Sequence, residues 1–482
     1  WGVNEFGARF PTAAAALIGV LATYIFARRA FDSRRAIMAA AILATSALYA
    51  VMAQVLTADM LLTATMTVAT FTFFLQWREG GRWWWLFYMA MGLAVLTKGP
   101  VGAVIPISVG VIFLWYEGEL AGSFRRFHVV SGLLTTATLT LPWFIAITIR
   151  EPGFFQFYIV GEHFRRFLQP GYSHHEAFYY YLPVITGGFL PWSLVALFIP
   201  WRSLEPSSAQ RFCLIVTATV LVVFSIANAK LVPYVLPAFP FMAVLVADGL
   251  ATFFSTSSAQ PRRVADSRRL TLISPPLLAA GLGLIIIALS ANHLSSPYVA
   301  LARPALYASG VILIVAAVCL FASFRGRRFE LGMGLLFAFT AATLVTISYG
   351  RMLTGPTRSY AILARQIERV APNARLICYP RYIQSLPFYC RRRVILVGAR
   401  TELAYGAAHA ADSAQYFFSG RDELLRLWRE PQFTVLIIDR KALAQIEESL
   451  APYDVLASDS KKLALIHAVE GRGDRAAADR PG

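Results

Sequence analysis

Long apolar stretches separated by short polar turns run from the start of the chain to about residue 350, and twelve of them are long enough to predict membrane-spanning helices. Their limits are 11–27, 36–55, 60–77, 83–97, 101–116, 129–149, 178–200, 211–229, 231–254, 271–290, 302–323 and 330–349. Pro11, Pro100, Pro142, Pro183, Pro191, Pro233 and Pro237 fall mostly at their ends, where freed backbone groups find water or a neighbouring helix. Trp83, Trp84 and Trp85 fit an interfacial aromatic belt. After about 356 the pattern changes. Short apolar runs at Ala374–Tyr379, Val394–Val397 and Val435–Asp439 predict buried strands, alternating with helical patterns at 358–371, 421–429 and 440–450, the last with Asp439 as its N-cap. The spacing thus predicts an α-helical polytopic membrane body over 1–350, a soluble α/β domain over 356–470 and a disordered tail over 471–482.

Composition agrees with this division. With 57% hydrophobic and 15% charged residues among 482, the chain is neither disordered nor an ordinary water-soluble enzyme. A net charge of +17 would suggest nucleic acid in a soluble protein, but here the basic residues alternate between loops. Up to the last span, one set of loops carries 17 Lys and Arg and the other 7. The positive-inside rule makes the first set cytoplasmic, so the chain starts outside and its C-terminal domain also lies outside. Cys378 and Cys390 would then occupy an oxidising compartment, where they could pair. The sequence opens on Trp1-Gly2-Val3-Asn4 with neither an initiator Met nor a signal peptide, and the expectation is that an N-terminal piece precedes it.

This orientation gathers polar residues at the outer helix ends. Asp59 is the only acidic residue between Ser33 and Arg78, and it sits where a span begins. It reads either as a helix-capping residue or as a functional carboxylate. The chain uses 5 lysines against 39 arginines, so a lysine in the membrane body stands out. Lys98 and Lys230 are the two, each beside helix-breaking sequence, and a compact ammonium suits a phosphate oxygen; snorkelling to the interface is the alternative. The outer loop 150–177 carries Glu162, His163, Arg165 and Arg166 among aromatics, as an interfacial helix would. His163 reads as a metal ligand, a proton shuttle or a structural hydrogen-bonding group, and a divalent metal is the one cofactor the sequence leaves open. The sequence contains no phosphate loop, no His-Glu-x-x-His and no Gly-x-Ser-x-Gly elbow. A secondary transporter would place its polar groups near the midplane in paired repeats, whereas here they cluster at one face.

Six segments carry a resemblance: Asn4–Arg9, Leu56–Met60, Leu96–Pro100, Glu162–Phe167, Gly188–Trp192 and Lys230–Pro237. In this order the chain resembles the aminoarabinose transferases of the protein-mannosyltransferase superfamily, membrane glycosyltransferases of the type C fold, and the resemblance extends through the C-terminal domain with Ser385–Tyr389. It implies thirteen spans, one more than the pattern gives, and a first outer loop bearing an essential acidic residue and a Glu-Lys-Pro-Pro segment, beyond which this sequence starts. Gly161 departs from the family, whose members often have a histidine there. The implied activity is transfer of a sugar from a polyprenyl-phosphate donor to lipid A or another envelope glycan at the outer face of the bacterial inner membrane. The alternatives are a protein O-mannosyltransferase-like enzyme or a non-catalytic polyprenyl-phosphate binder. Asp59 is then the catalytic candidate, Lys98, Arg165, Arg166, Lys230 and Tyr234 the donor-phosphate candidates, and His163 the metal candidate. Membrane lipids, the lipid-linked donor and the acceptor are the implied partners, and nucleic acid is not.

Overall fold

A computed structural model of the chain describes residues 2–165, 176–199, 201, 206–257, 268–292, 297–326, 328–400, 403–450, 452–458 and 462–467. The predicted tail over 471–482 lies outside them. The chain forms two compact units, Trp1–His293 with Arg303–Tyr349, and Leu294–Ala302 with Gly350–Gly482.

The first unit is helical. It opens with α1 (Glu5–Ala30), α2 (Ser33–Thr45), α3 (Ala47–Met52), α4 (Asp59–Glu79), α5 (Trp83–Lys98), α6 (Val101–Tyr116), α7 (Ser123–Arg126) and α8 (Val129–Arg150). Longer helices follow at Ser208–Ile226, Phe239–Ser257, Ser274–Leu289, Pro297–Arg325 and Phe329–Arg358. Among the described residues eight helical segments are long and apolar enough to cross a membrane, and the protein is a multi-pass membrane protein. Side-chain caps start several helices: Asn4 accepts from the Gly7 N–H at 2.7 Å, and Ser207 with Gln210 forms a reciprocal capping box.

Two predicted spans are broken. The run 36–55 is interrupted at Ser46, whose backbone is extended, and 178–200 divides into the helices Tyr181–Gly188 and Trp192–Ala196. Each break leaves backbone groups without helical partners, which is costly in a bilayer. The two breaks satisfy one another. The Ala47 N–H donates to the Leu190 carbonyl at 3.2 Å, and Trp192 Nε1 donates to Thr45 Oγ1 at 3.0 Å.

Helix α4 is central to this unit, packing against α1, α5 and α6, with nearly all of its length buried. It carries threonines at 63, 65, 67, 70 and 72, and each hydroxyl donates back to a carbonyl one turn earlier, as Thr63 does to Asp59 at 2.8 Å. The polar groups are therefore satisfied within the helix, and the apolar core, including Phe26, Phe71, Phe74 and Phe212, closes around it.

Ion pairs join loops that the charge pattern assigns to the same side: Arg29 with Glu79 at 2.7 Å, Arg34 with Glu330 at 3.1 Å, and Arg211 with Glu117 at 2.9 Å. Arg35 also reaches the buried Asp248 at 2.6 Å.

The second unit contains a six-stranded sheet in the order β3-β2-β1-β4-β6-β5. Its strands are β1 (Arg375–Tyr379), β2 (Ile395–Val397), β3 (Phe417–Phe418), β4 (Thr434–Asp439), β5 (Tyr453–Ser458) and β6 (Lys462–His467). The first four are parallel, and β5 with β6 makes an antiparallel hairpin against β4. Side chains alternate between two cores. Leu376, Cys378, Val435 and Ile437 pack with Leu363 and Ile367 of the helix Ala361–Val370, while Ile377, Leu436 and Ile438 pack with Leu424 and Trp428 of Arg421–Arg429. Asp439 occupies the N-cap position of a one-turn helix without capping it through its side chain, which instead faces Lys462 at 3.7 Å. Cys378 and Cys390, which the compartment would allow to pair, are free thiols buried in this domain.

Candidate functional site

Three of the candidates in the first unit, Asp59, Tyr234 and His163, come together around Lys98. It is the last residue of α5, and Gly99 follows with φ +72, a left-handed conformation that ends the helix at little cost only for glycine. The Lys98 ammonium donates to Asp59 Oδ1 and lies 4.3 Å from the centre of the Tyr234 ring. Asp59 is the first residue of α4, and Ala58 before it makes no side-chain cap, so the carboxylate is paired with Lys98 instead of closing the helix end. Its side chain is 11% exposed and that of Lys98 29%, which leaves the ammonium open to an incoming group on one side. Three residues 39 to 175 positions apart in sequence thus form one cation-centred cluster.

His163 locks this arrangement from behind. It belongs to the helical segment Gln156–Arg165, the described part of the predicted interfacial helix. Its Nε2 lies 3.0 Å from the Lys98 carbonyl oxygen and its Nδ1 2.7 Å from the Tyr158 carbonyl oxygen. The ring packs on Gly99 so closely that a Cβ there would lie 2.5 Å from Nε2. Both ring nitrogens are turned toward backbone carbonyl oxygens, and neither is turned toward an open position where a metal would sit. Among the described residues no three His, Cys, Asp or Glu side chains gather as a metal site, so the geometry gives the metal reading no support. Tyr158, which supplies both a carbonyl and an edge-on ring at 4.7 Å, carried no signal in the sequence beyond its place in an aromatic run.

Lys230 is placed differently from Lys98. It is buried, and its ammonium donates to the Ala227 carbonyl at 2.7 Å and the Glu176 carbonyl at 3.0 Å. These bonds tie the end of the helix Ser208–Ile226 to the chain entering Val232–Ala238, which carries Tyr234. Tyr181 Oη adds a bond to the Leu231 carbonyl at 3.2 Å. Arg165 is exposed at the end of its helical segment; Arg166, Ser173, His174 and His175 lie outside the described residues.

Comparisons with known proteins follow the same two-part division. Residues 1–145 match the family described as dolichyl-phosphate-mannose-protein mannosyltransferase, and 363–467 match the aminoarabinose transferase C-terminal domain. The undecaprenyl phosphate-alpha-4-amino-4-deoxy-L-arabinose arabinosyl transferase of Erwinia tasmaniensis is 29% identical over 261 residues, 51% of this chain and 46% of that one. The transferase of the same name from Aeromonas hydrophila is 30% identical over 262 residues, with the same coverage. These alignments span slightly under half the length of either relative. The crystal structure of ArnT from Cupriavidus metallidurans bound to undecaprenyl phosphate superposes on 97% of this chain and 85% of that one, with a TM-score of 0.81 and 25% identity. The apo form of the same protein gives a TM-score of 0.76.

Proposed function

We propose that this protein, an aminoarabinose transferase-like chain of the type C membrane glycosyltransferase fold, moves a sugar from a polyprenyl-phosphate donor to a phosphorylated glycolipid of the lipid A class. The reaction takes place at the outer face of the inner membrane, with the C-terminal domain in the periplasm. The donor's anomeric C–O bond breaks, the electron pair leaves with the polyprenyl phosphate, and an acceptor phosphate oxygen forms the new bond to the anomeric carbon. An ionised phosphate acceptor needs no strong general base. The demand falls on the leaving phosphate, whose growing charge calls for preorganised cations.

The observation that carries this reading is the Asp59–Lys98–Tyr234 cluster, held by His163 at helix ends that the charge pattern assigns to the outside. Lys98 supplies the ammonium to the leaving phosphate, joined by Arg165 and Arg166 from the interfacial segment and by the Tyr234 hydroxyl. Asp59 orients that ammonium and faces the developing oxocarbenium character. Lys230 keeps the Tyr234 segment in register through its two carbonyl bonds.

The test is sugar transfer from a polyprenyl-phosphate-linked donor at matched protein levels. Lys98→Ala should remove about 1.5–3 kcal/mol of transition-state stabilisation, the worth of a charged hydrogen bond. That corresponds to roughly ten- to hundredfold in rate. Lys98→Arg should recover only part of it, because a planar guanidinium does not fit a place shaped for an ammonium. Wild-type transfer by Lys98→Ala would move the phosphate away from this cluster.

A further inference from the structure

The α/β domain holds a second group of charged and aromatic residues that the transfer reaction does not use. The helix Ser385–Cys390 ends on Arg391, whose φ is +51. Helices that close in the left-handed conformation usually do so on glycine, and a longer side chain there is strained. Arg391 lines a cleft of about 570 Å³, within the usual range for small-ligand sites, with Tyr382, Arg393, Asp412 and Tyr416 around it and Val394 and Leu403 among its apolar residues.

The charges in this cleft do not cancel. Arg393 is paired with Asp412 and lies 5.1 Å from the centre of the Tyr416 ring. Arg392 turns inward to Glu368 at 2.8 Å and to the carbonyls of Pro372 and Ala374 at 2.6 and 2.7 Å. Arg391 is exposed, and among the described residues it has neither an ion-pair nor a hydrogen-bond partner. A strained backbone therefore presents the one uncompensated guanidinium at a cleft that also offers two phenol rings and a carboxylate. Strain retained at such a position points to a role outside folding.

We propose that this cleft binds a saccharide bearing a phosphate group. Arg391 takes the phosphate through its bidentate fork. The Tyr382 and Tyr416 rings lie against the apolar face of a sugar, and Asp412 accepts from its hydroxyls. The inference rests on the transferase reading only for the source of that saccharide, either the headgroup of the acceptor glycolipid or a free envelope glycan.

The test uses the full chain with a phosphorylated glucosamine disaccharide, presented free to detergent-solubilised protein and, on its acyl chains, to protein in nanodiscs. Arg391→Gly relieves the backbone while removing the charge. It should keep or raise the thermal midpoint and weaken binding at least tenfold, while leaving undecaprenyl phosphate binding unchanged. Loss in the nanodisc arm identifies the glycolipid as the source, and loss confined to the free disaccharide identifies a soluble glycan. Tyr416→Leu should weaken the same arm several-fold, which checks the ring independently. Binding by Arg391→Gly within twofold of wild type in both arms would overturn the proposal. So would equal affinity for the unphosphorylated disaccharide, or full competition by inorganic phosphate at the disaccharide's own concentration. Wild-type protein that binds the disaccharide but not undecaprenyl phosphate would count against the transferase reading and leave this cleft standing.

Discussion

Gly99 and His163 turn the backbone carbonyl of Lys98 into a fixed point. Replacing Gly99 by Ala would place a Cβ on backbone at φ +72 and ψ −152, a region essentially reserved for glycine, costing about 1–3 kcal/mol, and would push it into the imidazole. The expected result is a lower thermal midpoint together with a larger loss of sugar transfer, since the displaced ring releases the residue that carries the ammonium. An unchanged midpoint with wild-type transfer would show that the ring does not hold Lys98. At this scale the sequence was informative wherever a residue was rare. Lys98 and Asp59 stand out because lysine and acid are scarce in the membrane body, and they do meet. Lys230 stands out equally and serves the backbone instead, because its carbonyl partners belong to a helix end and a distant loop that no local pattern joins. His163 was legible as a polar residue in an aromatic run, but its two carbonyl partners follow only from tertiary packing.

Among the elements, the hydrophobic pattern located every long helix of the described residues yet missed how two predicted spans break. Apolar residues continue through Ser46 and through Phe189–Pro191, so hydropathy alone sees unbroken spans. The Trp192–Thr45 hydrogen bond is a direct handle on this junction. Trp192→Phe removes the N–H together with part of the buried indole, and it should destabilise the protein by more than the about 0.5–1.5 kcal/mol of the bond alone, read as a lower thermal unfolding midpoint. An unchanged midpoint would mean that the breaks are supported elsewhere. In the α/β domain three strands were anticipated and β3, β5 and β6 were not, since β3 is two residues long and β5 turns three exposed residues outward. Burial pushes the Cys378 thiol on β1 up to about 12 and the Cys390 thiol up to about 11. A thiol that holds its proton more tightly when folded contributes stability that is complete below its ordinary value near 9 and is lost as pH climbs toward 11–12. Thermal midpoints measured from about pH 8 to 11 should therefore fall, and less steeply in Cys378→Val; identical slopes would remove the thiol from the account.

For the whole molecule, sidedness is the most consequential reading. The acidic partners Glu79, Glu117 and Glu330 meet arginines of the loops assigned to the cytoplasm, whereas Asp59, His163 and Lys230 engage groups at the opposite helix ends. A cysteine at the exposed Glu448 should react with a membrane-impermeant maleimide in cells whose inner membrane is intact. Labelling only after that membrane is opened would invert the orientation and the proposed site with it.

Helix α4 is the least apolar of the eight candidate spans among the described residues, and nearly all of its length is buried inside the protein. Its threonines face neighbouring helices and hardly meet lipid. Such a segment gains little by partitioning into hydrocarbon alone, so its place in the membrane is a collective property of the helices that wrap it. During synthesis it would leave the translocon poorly when presented singly and efficiently when α1 precedes it and α5 follows. A glycosylation-mapping reporter should show this as partial integration of 59–79 alone and near-complete integration of 5–98; equal integration of the two would mean that α4 commits to the bilayer unaided. The helix that presents Asp59 would then owe its location to its companions, and a substitution that loosens α1 or α5 would abolish the proposed sugar transfer by leaving Asp59 on the wrong side of the membrane.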